Sequence, residues 1–203
     1  AGCMDYLLPL DEIKKQVLYL KNDSVLDVEK LKQQLVYLGY ERSAQVESSG
    51  QFSVRGGIID IFPLTEENPW RIELWGDEID SIRSFDAKSQ RSIENLEEIR
   101  LYPAAELFLD EKRAAEGLKR IKKEAKETAG RLREQFKTEE AARLARHADE
   151  FCEQLKELYD IAGAENYIHY FYDNTVCFLD YFSKEDTLLL LDEPARLKET
   201  ADA

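Results

Sequence analysis

The sequence predicts an α/β chain: a small α+β module with an antiparallel sheet, then a second part that is helical and closes on a strand. Three observations carry this. Between residues 41 and 103 apolar and polar residues alternate, punctuated by Gly50, Gly56-Gly57, Asn68-Pro69 and Gly76-Asp77, which is the pattern of short antiparallel strands joined by tight turns. From 110 to about 159 the composition shifts to Ala, Glu, Lys, Arg and Leu, all good helix formers apart from their few interruptions. Residues 187–191 are an apolar run ending in Asp192-Glu193-Pro194, as a buried parallel strand would be.

Taken in order, Ile13, Val17, Leu18 and Leu20 come after Pro9 and a pair of acids, which suits a short helix running into β structure. Asp27 can cap a helix whose apolar positions Val28, Leu31, Leu35 and Leu38 recur at three- and four-residue steps, and Gly39 supplies its left-handed stop. The alternating stretch completes a module of about 85 residues, large enough to hold its own core. The helical stretch is expected to break near Gly130 and again around Thr138, where Thr138-Glu139-Glu140 offers a fresh cap with acids in the first turn. Its interleaved charges suit a solvated helical face packed on one side. Aromatics then dominate: Tyr167, Tyr170, Phe171, Tyr172, Phe178, Tyr181 and Phe182.

The 203 residues are 43% hydrophobic, 10% aromatic and 34% charged, the balance of a folded chain, and no apolar run approaches the length of a membrane span. Lys plus Arg number 28 against 42 for Asp plus Glu, a formal charge of −14 that repels phosphate backbones and points to a protein partner instead of direct nucleic-acid binding. Cys3, Cys152 and Cys177 are odd in number and widely spaced, the usage of reduced thiols in a cytoplasmic protein. No secretory signal opens the chain, and the absence of an initiating Met suggests an excised fragment.

Catalytic chemistry finds little support. Asp192 and Glu193 sit where P-loop ATPases keep a Mg²⁺ ligand and a water-activating acid, but no G-x-x-x-x-G-K-[ST] accompanies them, so acids facing solvent at a strand end are the simpler reading. Neither His147 nor His169 has a second His or a Cys at metal-ligand spacing. No catalytic residue, metal or cofactor is assigned.

The run Arg71-Ile72-Glu73-Leu74-Trp75 before the Gly76-Asp77 turn is more informative, because strand geometry fixes which side chains share a face. If Ile72 and Leu74 face the core, Arg71, Glu73 and Trp75 face outward; the same parity sends Phe52 and Val54 inward and Arg55 outward. Arg and Trp are enriched among residues that carry interface energy. The alternative, equally open on parity alone, is that Trp75 covers a second small core while the arginines form surface salt bridges worth ~0–1 kcal/mol.

The stretch Gln51-Phe-Ser-Val-Arg-Gly-Gly-Ile-Ile-Asp-Ile-Phe-Pro63, with Arg71-Ile-Glu-Leu-Trp-Gly-Asp-Glu-Ile-Asp-Ser-Ile-Arg-Ser-Phe-Asp86, closely resembles the insertion domain shared by UvrB and the bacterial transcription-repair coupling factor, Mfd. Ser89-Gln90-Arg91-Ser92 after it looks like the coupling factors. Gly163-Ala-Glu-Asn-Tyr167, Leu179-Asp-Tyr-Phe182 and Leu190-Leu-Asp-Glu-Pro194 resemble the part of the family's first domain that resumes after the insertion.

The resemblance implies a degenerate helicase (RecA-like) domain interrupted by a UvrA-binding insertion domain. Residues 1–16 would end its first part, 17–103 would be the insertion, and 104–203 the resumed helicase-like part, helical and then a strand. It implies no ATP hydrolysis by this module. It implies UvrA as partner, contacted by two Arg and an aromatic, which match Arg55, Arg71 and, with Trp in place of the more usual Phe, Trp75. RNA polymerase and DNA would be met through other domains of the full-length protein. The rival readings are a fragment of UvrB or a related ATPase, and a DNA-binding module using Arg91, Arg100 and the aromatics.

Overall fold

The computed structural model describes residues 6–158 and 164–201, which fall into two compact units: Asp11–Phe108, and the flanking Ala1–Leu10 with Leu109–Ala203. Cys3 lies outside the described residues. A short helix, α1 (Leu10–Lys14), leads into the first unit.

The unit formed by Asp11–Phe108 is α+β. Strand β1 (Leu18–Lys21) pairs antiparallel with β8 (Glu98–Leu101), and a six-stranded sheet runs in the order β2 (Glu41–Arg42), β3 (Gln51–Arg55), β4 (Ile58–Ile61), β5 (Trp70–Trp75), β6 (Glu78–Phe85), β7 (Ser92–Leu96). From β3 onward every pairing is antiparallel, as the alternation and turn residues require; the two-residue β2 lies parallel to β3.

Helix α2 (Val28–Tyr37) forms where its sequence places it. The Asp27 carboxylate accepts a hydrogen bond from the Lys30 amide at 3.0 Å, and Leu31 and Leu35 are buried. Gly39 ends the helix at φ +86°, and a Cβ there would lie 2.5 Å from that of Ala105, so both conformation and space demand glycine. The core lies on one face of the sheet. Cross-strand rows Phe52–Ile61–Trp70 and Val54–Ile59–Ile72–Ile82 stack side by side, with Phe52, Ile59, Ile61 and Ile72 wholly removed from solvent.

The other unit is helical. Asp110 caps α3 (Glu111–Glu134) by accepting from the Arg113 amide at 2.7 Å, and α4 (Thr138–Leu158) packs against it. Contrary to the expected interruption near Gly130, α3 runs straight through that residue. One glycine costs a helix only about 1 kcal/mol relative to Ala, less than the good formers around it supply. The break falls at residues 135–137, where Phe136 adopts φ +61° just before Thr138. Ala114, Gly117, Leu118 and Ile121 of α3 and Ala141, Cys152 and Leu155 of α4 are buried. Short helices complete the unit: 3-10 turns at Ala164–Tyr167 and Phe178–Tyr181, α5 (Ile168–Phe171) and α6 (Pro194–Ala201).

The strand expected at 187–191 does not form. These residues have neither helical nor strand pairing, and Leu188 and Leu190 are 83% and 82% exposed. A parallel strand needs neighbouring strands to satisfy its amides and carbonyls. Among the described residues of this unit the only β pairing is an isolated bridge between Leu7 and Val176. Among the described residues no helix is long and apolar enough to cross a membrane.

Candidate functional site

The face of the six-stranded sheet opposite the core is polar, and the strand register determines its layout. Ser53, Asp60, Arg71 and Arg83 form one row across β3 to β6, and Arg55, Ile58, Glu73 and Ser81 form the next. Asp60 and Ser53 are each only 1% exposed despite lying on this face; the Ser53 hydroxyl donates to the Ala44 carbonyl at 2.9 Å, and arginine side chains reach Asp60. A carboxylate so removed from water is tenable only when paired and hydrogen-bonded.

Asp60 meets both conditions through the two arginines. Arg71 donates from Nε to Oδ1 at 2.6 Å and from Nη2 to Oδ2 at 2.8 Å, the planar fork that a carboxylate accepts best. Arg55 donates from Nη2 to Oδ2 at 2.7 Å. The Arg71 side chain is 12% exposed, and its Nη2 also reaches Gln90 Oε1 at 2.8 Å while its guanidinium stands 4.2 Å over the Phe85 ring. Hydrogen bonding to Asp60 raises the pKa of Arg71 above its already high ordinary value, so its charge is permanent.

Gln90 is held in place by a turn. Its backbone sits at φ +60° and its amide donates to the Asp86 carbonyl, while the Asp86 carboxylate accepts from the Ser89 amide at 2.7 Å. That bonding to Ser89 holds the Asp86 carboxyl below its usual range. Arg71 and Arg83 stand directly opposite each other, a repulsive arrangement in itself. It is relieved because Arg83 pairs with Glu73, Nη1 to Oε2 at 3.0 Å, while Arg71 pairs with Asp60.

Arg55 is 46% exposed at its side chain, beside the β3–β4 turn. Trp75 is the last residue of β5, paired with Glu78, and is 83% exposed. The register shifts between Glu73 and Leu74, leaving Asp80 of β6 as the extra residue of a bulge. Bonds from the Leu26 amide to the Asp77 carbonyl at 2.7 Å and from the Ile79 amide to the Ser24 carbonyl at 2.9 Å strap the chain alongside this hairpin end. At about 3.3 Å per residue, Trp75 lies roughly 13 Å along the strand from Arg71.

Of the three residues singled out in the sequence, two therefore converge on one carboxylate and the third stands at the hairpin tip. Asp60, Glu73, Arg83 and Gln90 were given no part in the site. An Asp between two isoleucines of a strand, Ile59-Asp60-Ile61, was the available signal, because an ionised group there must find cations across the ladder. Elsewhere, Asp192 and Glu193 are exposed at the start of α6, with Glu193 paired to Arg196 at 3.1 Å, and among the described residues no cluster of His, Cys, Asp and Glu could hold a metal.

The sequence model for the UvrB interaction domain matches residues 18–107. The chain is 42% identical over 161 residues to the transcription-repair-coupling factor of Bacillus subtilis (strain 168), covering 79% of this chain and 13% of that protein. It is 33% identical over 202 residues to that of Staphylococcus aureus (strain MRSA252), covering all of this chain and 17% of that protein. It is also 37% identical over 160 residues to the UvrABC system protein B of Thermosipho africanus, covering 76% of this chain and 24% of that protein.

Proposed function

Residues 18–107 are a UvrB interaction domain, in a chain whose relatives include transcription-repair coupling factors and UvrB, and from that premise we propose that this chain docks the damage-recognition protein UvrA. The role is recognition without chemistry, within a cytoplasmic DNA-repair protein that couples stalled transcription to nucleotide excision repair. The helical unit corresponds in this reading to the resumed part of a helicase-like domain. RNA polymerase and DNA belong to other parts of the longer protein, of which the chain spans a minor share.

The observation that carries the reading is Trp75, an indole 83% exposed at the tip of a strapped hairpin, on the strand that also carries Arg71 and in the unit that exposes Arg55. An indole held in water on an ordered hairpin end offers apolar area to desolvate, and desolvating an aromatic at an interface is a leading source of binding energy. Arg55 adds a cation for acidic or carbonyl groups on the partner.

Calorimetric titration or pull-down of UvrA with the purified chain tests this. Arg55→Ala, Arg71→Ala and Trp75→Ala are each expected to weaken binding, the Trp75 change by ~2 kcal/mol or more, about 30-fold. Undiminished binding by all three variants would end the proposal.

A further inference from the structure

Resting on the docking reading above, we propose that Asp60 is the positioning residue of the docking surface, and that the partner group it prepares for is a single carboxylate received by Arg55. The charge arrangement leads there. On this face Glu73 and Arg83 neutralise each other, whereas one Asp60 carboxylate faces two guanidiniums, leaving one positive charge unmatched.

That surplus resides on Arg55. Arg71 turns inward, 12% exposed, its Nε and Nη2 spent on Asp60 and Gln90 and its plane laid over Phe85. Arg55 is 46% exposed and commits one Nη2 hydrogen to Asp60, so the other Nη2 hydrogen, with its neighbour on Nη1 or Nε, is left as a forked pair of donors. The complementary group is an anion with paired acceptors, which on a protein surface is an Asp or Glu side chain.

Asp60 cannot touch a partner, being 1% exposed on the inner strand β4. Its influence passes through Arg55, whose long side chain it holds in one orientation before any partner arrives, so that less rotamer freedom is lost on docking. Arg71 in turn anchors Asp60. One buried carboxylate thus sets the geometry of both arginines, and only one of them meets the partner.

The test is a double-mutant cycle with UvrA as the titrated probe and the whole chain as receptor. D60N, which keeps shape and loses charge, is expected to weaken binding roughly ten-fold, as is R55A. The double variant is expected to be no weaker than R55A within about two-fold, since Asp60 acts only through the group already removed. Unchanged affinity for D60N, or losses that multiply in the double variant, would overturn the assignment. If D60N does not fold, R55K decides: its ammonium keeps the charge and can reach Asp60 but cannot present a forked pair of donors. Its affinity should fall towards that of R55A, and full affinity would overturn the proposal. Failure of the unmodified chain to bind UvrA would instead refute the docking reading itself.

Discussion

Replacing Arg71 by Ala separates the two things this arginine is asked to do, because its structural contribution can be worked out before any partner is added. The change removes both hydrogen bonds to Asp60, at 2.6 and 2.8 Å, the bond to Gln90 at 2.8 Å and the stack on Phe85. What remains is a carboxylate 1% exposed with one guanidinium, that of Arg55, on one of its oxygens. Breaking a buried ion pair by removing one partner costs about 3–5 kcal/mol, and the surviving Arg55 contact places this case near 3 kcal/mol. Both tryptophans, Trp70 and Trp75, belong to the sheet-containing unit, so tryptophan fluorescence in a urea titration follows that unit alone. With a slope of about 1–1.5 kcal/mol per molar urea, the midpoint should fall by roughly 2–3 M. Trp75→Ala, on a side chain already in water, should stay within about 0.5 kcal/mol of the parent. An Arg71→Ala chain unfolding within about 0.5 kcal/mol of the parent would show that Asp60 does not depend on this arginine.

Two further predictions concern the cores. Gly117 of α3 lies under the ring of Phe171, and an added Cβ would fall 2.0 Å from that ring's Cδ1. Gly117→Ala should therefore lower stability by about 1–2 kcal/mol, measured by helical circular dichroism, overpacking outweighing the ~1 kcal/mol gain in helix propensity; a neutral or stabilised variant would refute it. The Tyr40 hydroxyl donates to the Tyr102 carbonyl at 2.8 Å, and burial pushes its pKa above the ordinary phenol value. The folded state keeps this proton longer than the unfolded chain does. Stability should hold below about pH 10 and fall above it by at most ~1.4 kcal/mol per unit. Tyr40→Phe should cost ~1 kcal/mol at neutral pH and lose that alkaline component, so stability curves that stay parallel to the parent's through about pH 11 would count against the argument.

The local elements were legible in the sequence because their causes are local. Asp27 and Gly39 bracket a helix with the apolar spacing of Leu31, Leu35 and Leu38, and period-two alternation set which of Phe52, Arg55, Arg71 and Ile72 share a face. Those rules act within a few residues, so they survive in any tertiary setting. The apolar run at 187–191 misled for the opposite reason: apolarity marks a strand only where other strands are present to receive its backbone, and no local pattern supplies them.

Which of the outward residues are free for a partner was likewise beyond sequence reasoning. Arg55 and Arg71 look alike in alternation, yet one is half exposed and the other is locked under Gln90 and over Phe85. That difference comes from the register placing Asp60 opposite Arg71 and from a turn at Asp86–Gln90 that closes over it. The sequence by itself determined that Arg71, Glu73 and Trp75 share one face of their strand, opposite Ile72 and Leu74, since a strand's pleat alternates its side chains. The tertiary structure alone decided that a buried carboxylate would claim both guanidiniums unequally, because that depends on contacts between residues far apart in the chain.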